Sequence, residues 1–346
     1  MTMNTDQLFE KLSHKLSDQY SEAELILKAE MAAEIIALKE EKNAVILGHN
    51  YMEPALFHTV PDFTGDSLEL SRKAAQTDKD VIVFCGVEFM AETAKILSPE
   101  KTVLVPSNKA GCSLASSITA EDVRKIKAQF PGVPVVTYIN TYADVKAETD
   151  ICCTSGNAKA VVESLPGDAV IFLPDEYLAG NIARETGKHI ILPTKGTTYP
   201  KVEGVDVQMI GWNGRCEVHD QFTVEDIENV RASHPDVKVL SHPECKPAVV
   251  EASDFSGSTT EMIRYIQDNE LPKYLLLTEC AMGDNIHAEN PNREMLRMCS
   301  VRCPHMNQIQ LKDTYDALKY NQYEITIPED IRQRAFQSVD RMLKIG

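Results

Sequence analysis

The chain has 346 residues, 43% hydrophobic and 25% charged, with a formal net charge of −17. That length holds two or three modest domains and a sizeable core, and the composition is that of an ordinary globular protein. The charge argues against a nucleic-acid surface, which needs a basic stripe, but leaves room for an anionic small molecule at a helix N-terminus.

The longest apolar runs, such as VIVFCGV at 81–87, are too short to span a bilayer. Residues 1–20 contain no apolar signal core. The chain is therefore expected in the cytoplasm, away from membranes. Its nine cysteines are then expected as metal ligands, nucleophiles or core residues rather than disulfides.

Residues 1–42 predict helix: AELILKAEMAAEIIALKEE places apolar residues at helical spacing, with no chemistry evident. From there on, short β-branched runs alternate with helical stretches, the pattern of a parallel α/β architecture. The pattern is written three times. AVILGHNYM (44–52) is a strand ending in His49, Asn50 and Tyr51; VVTYINTYA (135–143) ends in Tyr138, Ile139 and Asn140; VLSHPECKP (239–247) ends in His242, Pro243 and Glu244. A small-residue turn with a hydroxyl follows each: Ser67, Ser155 and Thr259, lying 18, 17 and 17 residues after His49, Tyr138 and His242. A buried strand then ends in an acid, Glu88, Asp175 or Glu279, at offsets of 39, 37 and 37. Each unit closes on a cysteine, Cys112, Cys216 or Cys303, at offsets of 63, 78 and 61, the middle unit being lengthened by the loop at 194–210.

In open α/β units, function collects at the carboxyl ends of the strands. Three such units facing a common centre would bring three thiols together. A structural zinc site takes four ligands in close pairs, and this chain offers a single C-x3-C, Cys299 and Cys303. Three thiolates from distant segments suit a 4Fe–4S cluster with one iron left open, able to act as a Lewis acid on a hydroxyl or carboxylate. The hydroxyl turns have two readings, a plain helix cap or a set of backbone N–H groups presented to an anion; their recurrence favours the second. His49, Tyr51, Tyr138, Asn140, His242 and Glu244 supply side chains suited to proton-transfer catalysis.

The motifs VILGHNYM, DFTGDSLELSRKAA, GCSLA, PVVTYINTYADVKA, CTSGNA, GRCEVHDQFT, SHPEC, GSTTEMI and CPHM resemble those of the bacterial quinolinate synthase family, from about residue 30 to the C-terminus. The resemblance implies three Rossmann-like α/β units in pseudo-threefold arrangement around a central 4Fe–4S cluster held by Cys112, Cys216 and Cys303. It prefers Cys303 to Cys299 because the family's ligand directly precedes a PHM-type segment. The implied division is a helical segment 1–42 and units 43–118, 119–220 and 221–304, with C-terminal helices 305–346 packed on the first unit. The implied reaction condenses iminoaspartate, made by L-aspartate oxidase, with dihydroxyacetone phosphate to quinolinate, phosphate and two waters in de novo NAD biosynthesis. A transient contact with the oxidase is expected. Carried over by motif, His49, Tyr51, Tyr138, His242 and Glu244 are catalytic, while Ser67, Asn140, Ser155, His219 and Thr259 bind substrate.

Glu244, with Tyr51 or His242, is the expected proton carrier. Cys85, Cys152, Cys153, Cys245 and Cys280 lie in or beside apolar strands and are expected as core residues. Two other readings stand beside this one: a diphthamide-synthesis type of iron–sulfur enzyme, and a non-catalytic iron–sulfur or zinc protein sensing redox state through Cys299 and Cys303. GHNYM and SHPEC favour quinolinate synthase. No G-x-G-x-x-G follows a predicted strand, which argues against a nicotinamide dehydrogenase.

Overall fold

The computed structural model describes residues 3–201, 206–298 and 301–345; Cys299 and part of the 194–210 loop lie outside the described residues. Two amphipathic helices open the chain. α1 (Thr5–Leu16) buries Leu8, Leu12 and Leu16, and α2 (Glu22–Glu41) buries Leu25, Ala29, Ala32, Ile35 and Ile36. Both start in capping boxes, Asn4 with Gln7 and Ser21 with Glu24, which satisfy otherwise orphaned N–H groups.

The first repeat is β1 (Ala44–His49), α3 (Pro54–Phe57), β2 (Phe63–Gly65), α4 (Ser67–Gln76), β3 (Val81–Cys85), α5 (Glu88–Leu97) and β4 (Thr102–Leu104). The second is α6 (Ala120–Gln129), β5 (Val135–Tyr138), α7 (Ala143–Lys146), β6 (Ile151–Cys153), α8 (Ala158–Ser164), β7 (Val170–Leu173), α9 (Glu176–Thr186), β8 (Ile190–Ile191) and β9 (Met209–Ile210). The third is α10 (Val224–Ser233), β10 (Lys238–Ser241), α11 (Pro247–Ala252), β11 (Phe255–Ser256), α12 (Thr259–Asp268), β12 (Lys273–Leu277), α13 (Cys280–Glu289) and β13 (Glu294–Arg297). α14 (Leu311–Tyr320) and α15 (Glu329–Leu343) complete the chain order.

The architecture is α/β with three parallel sheets. The first has the order β2-β1-β3-β4, and the second repeats it as β6-β5-β7-β9, with β8 added outside β9. That inserted strand and its return account for the longer offset to Cys216. In the third repeat β10 pairs with β11 and β12 with β13, again in parallel. Strands such as β1 and β5 are buried along their whole length, as expected where helices cover both faces of a parallel sheet. One device recurs in all three repeats: an aspartate before the second strand accepts the N–H at or near the start of the first. Asp62 Oδ2 lies 2.8 Å from Ile46 N, Asp150 Oδ2 2.8 Å from Val135 N, and Asp254 Oδ2 2.9 Å from Val239 N.

The chain forms two compact units, Met1–Gly111 with Ile263–Thr326, and Cys112–Met262 with Ile327–Gly346. In the first, α1 packs on α2, α3 and α13, and α14 packs on α2 and β3. In the second, α15 packs on α7 and β6, where Ser338 Oγ donates to Lys146 O at 2.9 Å. The expectation that all of 305–346 packs on the first repeat is therefore corrected. α14 does so, but α15 carries a buried face of Ala335, Ser338, Val339 and Met342 that fits the second repeat. Among the described residues no helix is long and apolar enough to cross a membrane.

Candidate active site

In the second unit, β5 and β10 deliver their carboxyl-end residues to one carboxylate. Glu244 is 3% exposed. Its Oε1 accepts hydrogen bonds from the Tyr138 hydroxyl and, at 3.2 Å, from Asn140 Nδ2. Its Oε2 lies 2.8 Å from His219 Nδ1, which is also 3.2 Å from Cys216 Sγ. The His219 ring stacks on His242 with centroids 4.6 Å apart. Burial alone would push the Glu244 carboxyl up, but His219 beside it, then His242, and hydrogen bonds from His219 and Tyr138 outweigh that and hold it well below the usual range. His242 Nδ1 accepts the Glu244 N–H at 3.2 Å, which places the His242 proton on Nε2. Asp175 titrates the other way. Fully buried at the N-cap of α9, with Oδ1 accepting from Leu178 N at 2.6 Å, it is pushed well up by burial and then by Glu244. Two carboxyls with pKa values driven apart are what acid–base chemistry uses.

In the first unit, β1 ends in the same local geometry. His49 Nδ1 accepts the Tyr51 N–H at 3.2 Å, as His242 does that of Glu244. The Tyr51 hydroxyl pairs with Thr278 Oγ1 at 2.5 Å. Each histidine-bearing loop is clamped by an asparagine that sequence reasoning missed. Asn285 of α13 donates to Asn50 O and Met52 O at 3.2 and 2.9 Å. Asn181 of α9 donates to Pro243 O and Cys245 O at 2.8 and 3.0 Å. Both asparagines stand six residues after the acid that ends the preceding strand, Glu279 and Asp175, and that common offset was the available signal. Asn181→Ala leaves two buried carbonyls without their donor, so we expect a loss of about 1–3 kcal/mol in urea unfolding, with kcat reduced more than KM. Unchanged stability and kcat would remove the clamp.

The three cysteines share one local fold. Cys112 O, Cys216 O and Cys303 O accept the N–H four residues on, from Ser116, Asp220 and Asn307, at 3.0, 3.0 and 3.1 Å. A 3-10 turn begins three residues after each cysteine, at Ala115, His219 and Met306. A capping box then starts the next helix, Thr119 with Asp122, Thr223 with Asp226, and Gln310 with Asp313. The caps lie seven and ten residues past the cysteine in every repeat, a C-x6-[T/Q]-x2-D signature that was legible but unread. Burial, then Glu244 and Cys112, push the Cys216 thiol far up. In the first unit, Cys303 N donates to Glu279 Oε1 at 3.4 Å, and burial raises that carboxyl to about 7. Cys85, Cys152, Cys153, Cys245 and Cys280 are all buried.

Gly214 seats the segment that leads into Cys216. Its N–H donates to Pro174 O at 3.0 Å and its carbonyl accepts from Glu176 N at 2.8 Å, while an added Cβ would stand 2.5 Å from Pro174 O and from Ser117 Oγ. Backbone cannot yield as a side chain does, so Gly214→Ala is expected to destabilise by about 1–3 kcal/mol in chemical denaturation. A neutral result would mean that the segment shifts freely.

The chain matches the family described as Quinolinate synthetase A protein over residues 33–344. Quinolinate synthase 2 of Mesorhizobium japonicum is 53% identical over 311 residues, 90% of this chain and 90% of that one. The quinolinate synthase of Caulobacter vibrioides is 48% identical over 345 residues, 99% of this chain and 88% of its own length. That of Agrobacterium fabrum is 52% identical over 311 residues, 90% and 84%. The chain belongs to the quinolinate synthase family. As a member it is an enzyme of de novo NAD biosynthesis that makes quinolinate.

In each hydroxyl turn the helix cap falls on another residue. α4 is capped by Asp66, which accepts Leu68 N and Glu69 N at 3.0 Å each, so Ser67 is the first helical residue. Ser258 plays that part for α12, with Glu261 N donating to its Oγ at 3.3 Å, and Thr259 comes next in the chain. Ser155 lies two residues before Asn157, the N-cap of α8. The turns bearing Ser155 and Thr259 adjoin: a Cβ on Gly156 would stand 3.5 Å from Ser258 Cβ and Oγ.

Proposed function

We propose that the protein condenses iminoaspartate with dihydroxyacetone phosphate to quinolinate, phosphate and two waters, with a 4Fe–4S cluster held by Cys112, Cys216 and Cys303. One observation carries this reading: a buried carboxylate, Glu244, held charged among Tyr138, Asn140, His219 and His242 and joined through His219 to a repeat cysteine. A carboxylate so placed can take a proton and return it.

The donor set fits the cluster. Thiolates are its usual ligands, and the three cysteines sit on one recurring turn. When bound, the cluster supplies an open iron as a Lewis acid toward a substrate carboxylate, nitrogen or hydroxyl. The chain's own residues do the remaining work. Ser67, Ser155 and Thr259 hold substrate carboxylates and phosphate at helix starts, where N–H groups favour anions. Asn140 Oδ1, buried and without a partner among the described residues, accepts a substrate N–H or O–H. Glu244 and His242, the latter with its proton on Nε2, move protons as the ketose isomerises to the aldose. His49 and Tyr51 serve from the end of β1, with the Tyr51 hydroxyl oriented by Thr278.

The family resemblance further proposes units 43–118, 119–220 and 221–304 in pseudo-threefold arrangement about the cluster, after the helical segment 1–42. Because an imine hydrolyses in water, transient contact with L-aspartate oxidase in the cytoplasm suits its delivery. Anaerobically purified protein supplied with oxaloacetate, ammonia and dihydroxyacetone phosphate is expected to release quinolinate. A preparation carrying about four irons per chain that makes none, or that cleaves S-adenosylmethionine instead, overturns the reading.

A further inference from the structure

The three cysteine turns are alike in backbone but differ in one side chain. Three residues past the cysteine stand Ala115, His219 and Met306. Ligation of a cluster by three cysteines gives no reason for that difference. In the second repeat the turn sets an imidazole against its own thiol, Nδ1 to Sγ 3.2 Å, and a third donor arrives from the end of β10, Glu244 Oε2 at 2.8 Å from the same nitrogen. The three donor atoms all lie within 4.8 Å of one another, and His219 and Glu244 are buried.

We propose that Cys216, His219 and Glu244 form a mononuclear zinc site, available while Cys216 is not engaged in a cluster. Zn²⁺ takes thiolate sulfur at about 2.3 Å and nitrogen or carboxylate oxygen at about 2.0–2.2 Å in a tetrahedron, which sets neighbouring donors about 3.2–3.7 Å apart. The two spacings from His219 Nδ1, 3.2 and 2.8 Å, need to open by up to about half an ångström for an ion to enter. With the thiol proton released on binding, one thiolate, one carboxylate and a neutral imidazole offset the charge of a dication. Magnesium and calcium prefer all-oxygen sets, whereas sulfur with imidazole suits zinc. Three protein ligands leave the fourth position to water. Bound zinc occupies Cys216 Sγ, so zinc and cluster assembly exclude each other; this second half rests on the reading of Cys216 as a cluster ligand, and the zinc site itself does not.

The test uses the full chain prepared without cluster and titrated with Co²⁺ as the optical probe, then with Zn²⁺. One Co²⁺ per chain is expected, with a thiolate-to-cobalt charge-transfer band that an equivalent of Zn²⁺ removes. Cys216→Ser should abolish the band, and His219→Ala and Glu244→Gln should each weaken binding by at least about 10–100-fold. Cys112→Ser and Cys303→Ser should leave it in place. Cobalt binding that ignores His219→Ala, or that vanishes with Cys112→Ser, overturns the site by placing the metal on the cysteines alone. X-ray absorption at the zinc edge of the unmutated chain decides independently of any folding defect: one sulfur with nitrogen and oxygen neighbours is expected, and two or more sulfurs overturn it. Zinc-loaded chain should assemble a cluster more slowly than metal-free chain, with His219→Ala relieving the delay; equal rates overturn the competition. Failure of the metal-free chain to assemble any cluster would instead count against the cluster reading and leave the cobalt result standing.

Discussion

Glu244→Gln is expected to lower quinolinate formation by about two to four orders of magnitude, about 3–5.5 kcal/mol of transition-state stabilisation, while iron and sulfide content stay at the unmutated level. The substitution keeps the volume and can still accept the Tyr138 hydroxyl and the Asn140 amide, so the loop should hold its shape. What it removes is the charge. The amide nitrogen would face His219 Nδ1, now donor against donor, and the imidazole must change tautomer or turn away. The pocket then lacks the one carboxylate held charged, since burial alone still pushes the neighbouring Asp175 carboxyl up. Steady-state rates with metal analysis on the same preparation check this. Turnover within a few-fold of the unmutated enzyme would sink Glu244 as proton carrier, and lost iron would move its role to the cluster.

Each of Cys112→Ser, Cys216→Ser and Cys303→Ser is expected to lose the cluster and to lower activity by about a hundredfold or more, since even partners that only support a metal ligand are worth 10–100-fold. Cys299→Ser should keep both. The reason is local and physical. Cys112, Cys216 and Cys303 each open a turn closed by an N–H four residues on, with a 3-10 segment and a capped helix after it at the same spacing. Cys299 holds no such place in the repeat, and it lies outside the described residues. Iron and sulfide per chain, with visible absorption of anaerobic protein, decide the matter. A Cys299→Ser variant without iron beside a Cys303→Ser variant with it would exchange the two assignments.

The repeat explains how much of the fold and the site was legible along the chain. Strands that end in polar residues, and cysteines that close each unit, recur at nearly fixed offsets because each strand, crossover and helix has a set length. The outlying offset at Cys216 had a simple cause in β8, a short strand added at a sheet edge. The caps Asp66 and Ser258, the aspartates Asp62, Asp150 and Asp254 before the second strand of each repeat, and the clamps Asn181 and Asn285 were hidden for another reason. Short polar residues abound in turns, so the caps do not stand out, and which N–H or carbonyl the aspartates and asparagines meet depends on a segment far away in sequence. The destination of α15 was hidden too, because an amphipathic helix declares that it must bury a face and not which surface will receive it.

By itself, then, the sequence determined the α/β class, the threefold repeat and the family, since these depend on hydrophobic periodicity and the spacing of side chains along one chain. Only the tertiary structure decided that Tyr138, Asn140, His219, His242 and Cys216 converge on Glu244 from segments as much as 106 residues away. Spacing says where a donor lies along the chain, whereas the charge of a buried carboxylate is set by atoms a few ångströms away.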